Sequence, residues 1–129
     1  MLIELYEESE AVRIERIQRE EEERKREEEK RQKQIFNEEY NSEIEYTTAL
    51  ENAALDYEKA LRIRQYISAV ESSYGIEDIE PKTLEWLNWA RDKADWFDPV
   101  VVREDKYFGK RCHEDSESQK LLEKKRYFW

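Results

Sequence analysis

Glycine is almost missing from this chain: Gly75 and Gly109 are the only two among 129 residues. A phosphate-cradling loop or a dinucleotide-binding turn needs several glycines within a few residues, so both are excluded. Proline is equally scarce, with only Pro81 and Pro99, and residues 1–74 contain neither breaker. A single cysteine, Cys112, excludes an internal disulfide and points to a reducing compartment. No apolar run approaches the roughly 20 residues needed to span a bilayer. The N-terminal MLIELYEESE lacks the basic segment that opens a signal peptide. These absences imply a soluble, cytoplasmic protein with no membrane span. No strong basic stripe is present either, which argues against direct nucleic-acid binding.

What the chain does have is charge. Asp, Glu, Lys and Arg make up 43% of it, with a net charge of −10. Residues 18–34 read QREEEERKREEEKRQKQ, without one apolar side chain. Glu20, Glu21 and Glu22 stand four residues before Arg24, Lys25 and Arg26, and Glu27 and Glu29 four before Arg31 and Lys33. That order favours a helix by roughly 0.2–0.5 kcal/mol per pair. A segment of this kind stays helical in water while burying nothing. A heptad drawn through Ile14 and Ile17 meets Glu21, Arg24, Glu28 and Arg31 before Ile35. A continuous two-stranded coiled coil wants those positions apolar, so 18–34 reads as a lone helix. Upstream, Leu2, Ile3, Leu5, Tyr6, Ile14 and Ile17 form an amphipathic patch and are the candidate partner-binding residues.

Tyr46, Leu50, Ala53, Tyr57, Ala60, Leu61, Arg64, Ile67, Val70 and Tyr74 recur at helical spacing and predict one broad apolar face. With nothing to interrupt residues 1–74, the reading is one helix, or two nearly collinear ones broken around 37–42. Its start is expected near the first residues, and its length unbroken would be on the order of 105 Å. Gly75 marks the stop. Pro81 opens a second helix that ends before Pro99. Its Leu84, Leu87, Ala90, Ala94 and Phe97 form one strip and Trp86, Trp89 and Trp96 another. The expected core of this head is Leu50, Tyr57, Leu61, Ile67, Trp86, Leu87, Trp89, Ala90, Ala94 and Phe97. A short amphipathic helix is predicted at 114–126, and the terminal KKRYFW is expected to fold back onto Trp86 or Trp89.

The fold class that follows is all-α: one very long charged helix, as a single-helix or partial coiled-coil stalk, with a small C-terminal helical head. The expected division is a stalk at 1–36 and a head at 37–129, with helices at 37–74, 81–98 and 114–126.

The elements ALRIRQYISAVE at 60–71 and LEWLNWARDKADWFDP at 84–99, behind a Glu/Arg-rich stalk, resemble the C-terminal region of a group of uncharacterised bacterial proteins. That region carries an IRxYI element, matched here by Ile63, Arg64, Tyr66 and Ile67. A WLxWAxxxADxxDP element follows, matched by Trp86, Leu87, Trp89, Ala90, Ala94, Asp95, Asp98 and Pro99. The resemblance covers roughly residues 20–100 and attaches no activity. Longer members have a domain before the stalk, which implies that residues 1–129 are a fragment or a short descendant.

Little in the sequence suggests chemistry. Cys112 and His113 are neighbours, but a structural zinc site needs about four ligands. Asp98, then Val100–Val102, then Glu104-Asp105-Lys106 faintly resembles a magnesium-nuclease pattern, without the strands such a site requires. Arg64, facing inward, needs an acidic partner if buried, and Asp95 and Asp98 are its expected structural ion-pair partners. No catalytic, cofactor-binding or metal-ligating residue is assigned, no cofactor is expected, and no small-molecule substrate is evident. The predicted function is a non-enzymatic spacer or protein–protein interaction module, binding a protein partner or itself as a homodimer. The alternative is a small acidic inhibitor that mimics nucleic acid toward a nucleic-acid enzyme.

Overall fold

The computed structural model describes residues 9–75 and 78–125. It is all-helical, with α1 at Glu10–Ser73 and α2 at Pro81–Phe97. No strand occurs among the described residues; one isolated bridge joins Asp105 to Gly109. Internal contacts divide the chain into one unit up to Ile44 and another from Glu45 onward. The division therefore falls later than the expected 36/37 boundary. Residues 37–44 are exposed helix and fall within the first of these units.

Within the first unit, α1 begins at a cap that the sequence analysis does not anticipate. Ser9 Oγ accepts a hydrogen bond from the Val12 N–H at 3.3 Å, and its carbonyl accepts from the Arg13 N–H at 3.1 Å. A serine that satisfies the third helical N–H is a standard helix start. The helix thus opens at Glu10 rather than near the first residue. It continues through 37–42 without a break. Every described residue to Ile44 is exposed. Local ion pairs support the charged run: Arg24–Glu21 at 3.6 Å, Arg26–Glu22 at 3.8 Å and Arg31–Glu28 at 3.4 Å. Further on, Phe36 and Tyr40 stack one turn apart, with ring centroids 6.3 Å from each other.

The second unit is built on the last part of α1 and on α2. Pro81 starts α2 with its fixed φ. At the other end the Asp98 N–H closes onto the Ala94 carbonyl at 3.1 Å. Asp98 itself is extended, as the residue before a proline prefers. The buried apolar centre is Ile67, Leu87 and Ala90, with Ile63 and Val70 packed beside it. Ala60, Ala94 and Trp96 are also buried.

Half of the expected core lies elsewhere. Ile67, Leu87, Ala90 and Ala94 are buried and Phe97 is half-buried, but Leu50, Tyr57, Leu61, Trp86 and Trp89 are exposed. The reason is angular. The contact line of α1 runs through Ala49, Ala53, Asp56, Ala60, Ile63, Ile67 and Val70. Leu50, Tyr57 and Leu61 each follow a residue of that line, which turns them about 100° away from it. Trp86 and Trp89 each precede a buried residue of α2 and are turned away for the same reason.

The expected helix at 114–126 is not formed. Residues 116–120 make one capped turn: Ser116 Oγ accepts from the Gln119 N–H at 3.3 Å, and Gln119 Oε1 accepts from the Ser116 N–H at 3.0 Å. Described residues beyond Lys120 have no regular structure. Arg126–Trp129, and with them the expected fold-back of the terminal aromatics, lie outside the described residues.

Leu87→Ala should lower stability by about 2–5 kcal/mol, since it empties a fully buried site in a small core. Leu50→Ala should stay within about 0.5 kcal/mol because its side chain is already in water. Urea titration of both variants checks the contact line, and equal losses would contradict it.

Candidate functional site

Asp56 is the most heavily engaged side chain of the head. It lies on the contact line of α1 and has no exposure to solvent. An unpaired carboxylate there would be prohibitive. Arg111 grips it with two bonds, Nε to Oδ2 at 2.8 Å and Nη2 to Oδ1 at 3.0 Å. His113 Nδ1 lies 2.8 Å from Oδ2 and Lys120 Nζ 3.2 Å from Oδ1. The basic groups are tied down in turn. The guanidinium of Arg111 sits over Trp96 and Phe97, 5.0 and 4.7 Å from their ring centroids. Lys120 donates to the His113 carbonyl at 2.9 Å. Burial alone would push the Asp56 carboxyl up, but the bonds from Arg111, His113 and Lys120 outweigh it and hold the pKa down at about 2.

This cluster fastens the irregular segment after α2 onto α1. Two polar contacts widen the attachment: Asn52 Nδ2 donates to the Glu114 carbonyl at 2.9 Å, and Lys59 pairs with Glu117. Between α2 and Arg111 the chain reverses through Asp105. Its carboxylate accepts from the Tyr107 and Phe108 N–H groups at 2.9 and 3.0 Å and pairs with Lys93. Gly109 closes the reversal with φ +68°, the left-handed region that glycine enters freely. Its carbonyl accepts the Trp96 indole N–H at 2.9 Å, which gives that buried ring its polar partner.

Arg64 is brought against both of its expected partners. Nη1 donates to Asp98 Oδ2 at 2.6 Å and Nη2 to Asp95 Oδ1 at 3.0 Å. Asp98 also accepts the Val100 N–H at 2.8 Å. Burial pushes the Asp98 carboxyl up, and the bonds from Arg64 and Val100 bring it below the usual carboxylate range. Arg91 and Glu71 make a further ion pair across the same two helices.

The exposed tryptophans have a different role from the expected one. Trp86 and Trp89, with Tyr66, Ile63, Phe108 and Leu122, line an open apolar groove of about 530 Å³. Trp96 and Phe97 form part of its lining, and Lys93 lies 4.4 Å above the Phe108 ring. Cys112 is exposed and His113 is committed to Asp56. Among the described residues no cluster of three metal-ligating side chains occurs, and no helix is long and apolar enough to cross a membrane. On the first unit, Ile14 and Ile17 are about half exposed, as are Val12 and Ile35, and Phe36 more so. Leu2, Ile3, Leu5 and Tyr6 lie outside the described residues.

The Asp56 cluster carries a definite pH dependence. Its carboxyl has a lower pKa folded than unfolded, so its contribution is complete above the unfolded value near 4 and is lost as pH falls toward 2. The loss is on the order of 2 kcal/mol. Asp56→Asn leaves Arg111 and Lys120 buried without their counter-charge and should cost about 3–5 kcal/mol at neutral pH. Denaturant melts of wild type and variant between pH 2 and pH 7 check both statements. A variant as stable as wild type at pH 7 would contradict them.

Compared with protein-family models, with curated proteins and with solved structures, the chain finds no match.

Proposed function

We propose that the protein is a non-enzymatic helical spacer and protein–protein interaction module, derived from or part of a larger bacterial protein and working in the cytoplasm. The observation that carries this reading is the stalk. From Glu10 to Ile44 it is helical while every residue stays exposed. A helix that buries nothing in its own chain either holds other parts at a distance or offers its surface to a partner. The distribution of apolar residues supports both uses. The run from 18 to 34 has none, whereas Ile14 and Ile17 precede it and Ile35, Phe36, Tyr40 and Ile44 follow it, all exposed. Exposed apolar clusters of this kind mark binding surfaces.

The ionisable groups of the head favour the non-enzymatic reading. Asp56, Asp98 and Asp105 are each held ionised by a basic neighbour and by further hydrogen bonds. Carboxylates so placed are poor proton carriers at neutral pH. The acidic-inhibitor alternative needs a one-signed stripe. In the stalk, Glu21, Glu22 and Glu28 each have an arginine within 4 Å, which breaks up such a stripe.

Circular dichroism of a peptide spanning 15–36 tests the spacer. Substantial helix at low salt, weakening in molar salt as the ion pairs are screened, is expected. A random-coil spectrum at low salt would contradict the reading.

A further inference from the structure

The same stalk has a charge order with a consequence for pairing. Ile14, Ile17, Glu21, Arg24, Glu28, Arg31, Ile35 and Glu38 fall alternately three and four residues apart, so they share one seam of the helix. In a parallel, in-register pair each seam residue would meet its own copy. Glu21 would face glutamate, Arg24 arginine, Glu28 glutamate and Arg31 arginine, four like-charged layers in succession. Reversing one helix about a two-fold axis at Arg26 changes every one of these layers. Glu21 then faces Arg31 of the second copy and Arg24 faces Glu28. Ile17 faces Ile35, which places an apolar layer at each end of the charged block. Ile14 meets only the aliphatic stem of Glu38.

The structure adds a second observation. Among the stalk's intrahelical ion pairs, Arg24–Glu21 and Arg31–Glu28 join neighbours along this seam. In the reversed pair these two contacts and the two interchain ones close into a ring of alternating sign: Glu21, Arg24, then Glu28 and Arg31 of the other chain. Two-fold symmetry makes two such rings, and every seam charge then has an opposite charge on either side.

We propose that the stalk face from Ile14 to Glu38 is a self-association surface, whose partner is a second copy of this chain bound antiparallel and centred on Arg26. The proposal rests on the interaction-module reading and names its partner. Pairing is weak and salt-sensitive, because only two layers are fully apolar and the remainder depends on screened charges. Flanking contacts do not add to it, since Lys25 and Glu27 each approach their own copies at the edge. The closed two-fold pair is self-limiting and does not propagate into fibres.

Charge exchange provides the test. In full-length protein at low salt, Glu21→Arg opposes two arginines across the seam and should weaken the dimer by about tenfold or more in sedimentation equilibrium. Adding Arg31→Glu restores an opposite pair in that layer and should recover most of the affinity. The double variant does not restore the intrahelical pairs, so recovery reports the interchain contact and not helix stability. Orientation is read separately in a Cys112→Ser background. Differently tagged Ile17→Cys and Ile35→Cys chains, mixed and mildly oxidised, should give the 17–35 heterodimer. Neither chain alone should cross-link. Self-linked Ile17→Cys dimers, a dimer indifferent to Glu21→Arg, or a strict monomer at high micromolar concentration would each overturn the proposal. A helical 15–36 peptide alongside any of these would leave the spacer reading standing, so the two failures are distinguishable.

Discussion

A carboxylate without access to water has to be surrounded by donors, and Asp56 meets that requirement with Arg111, His113 and Lys120. The rest of the head depends on it. The two helices share only a small apolar centre around Ile67, Leu87 and Ala90. Among the described residues, the chain after α2 has no helix or sheet ladder of its own to place it. Its path is fixed by side chains: Lys93 with Asp105, Trp96 with the Gly109 carbonyl, and then the three basic groups on Asp56. Each of these contacts is directional. Arg111 takes part in both sets, bonding to Asp56 while covering the faces of Trp96 and Phe97. Such a head specifies one arrangement with few apolar residues, at the expense of a strong dependence on ionisation.

The stalk meets the opposite condition. It has no interior, so it relies on helix propensity, on the Ser9 cap and on pairs of opposite charge along its surface. A helix held together by local terms tolerates nearly any substitution one at a time, but the sign order of its charges determines what it can lie against. The functional reading is drawn from that order. The head supplies buried, ionised groups committed to structure, while the stalk supplies exposed ones available for association.

Sequence periodicity was informative wherever the signal is local. The uninterrupted run of helix formers gives α1, Pro81 and Pro99 bracket α2, and the 3.6-residue repeat places Arg64 within reach of Asp95 and Asp98. It was uninformative about Asp56, which is one of 33 acidic residues and carries no distinguishing neighbours. The expected face shares Ala53, Ala60, Ile67 and Val70 with the observed contact line, but it takes in Leu50, Tyr57 and Leu61 and passes over Asp56. Spacing does not separate the two faces: Ala49, Ala53, Asp56, Ala60, Ile63 and Ile67 alternate by four and three, and so do Tyr46, Leu50, Ala53, Tyr57, Ala60, Arg64 and Ile67. In α2 the expected core joins Trp86 and Trp89 to Leu87 and Ala90, but only the latter pair is buried, while the two tryptophans line an open groove. At 114–126 the composition suits a helix, but the segment is attached by Asn52, Lys59 and Asp56, contacts invisible in one dimension.

Hydrogen exchange of the full chain, followed at low and high micromolar concentration, addresses most directly the proposal that the exposed stalk gains cover by pairing with a second copy. The account predicts strong, concentration-independent protection for amides around Asp56–Ile67 and Leu87–Trp96. It predicts weak protection for residues 14–38 in dilute protein, rising with concentration. Stalk amides as protected as those of the head at the lowest concentration, or unchanged across the series, would contradict it.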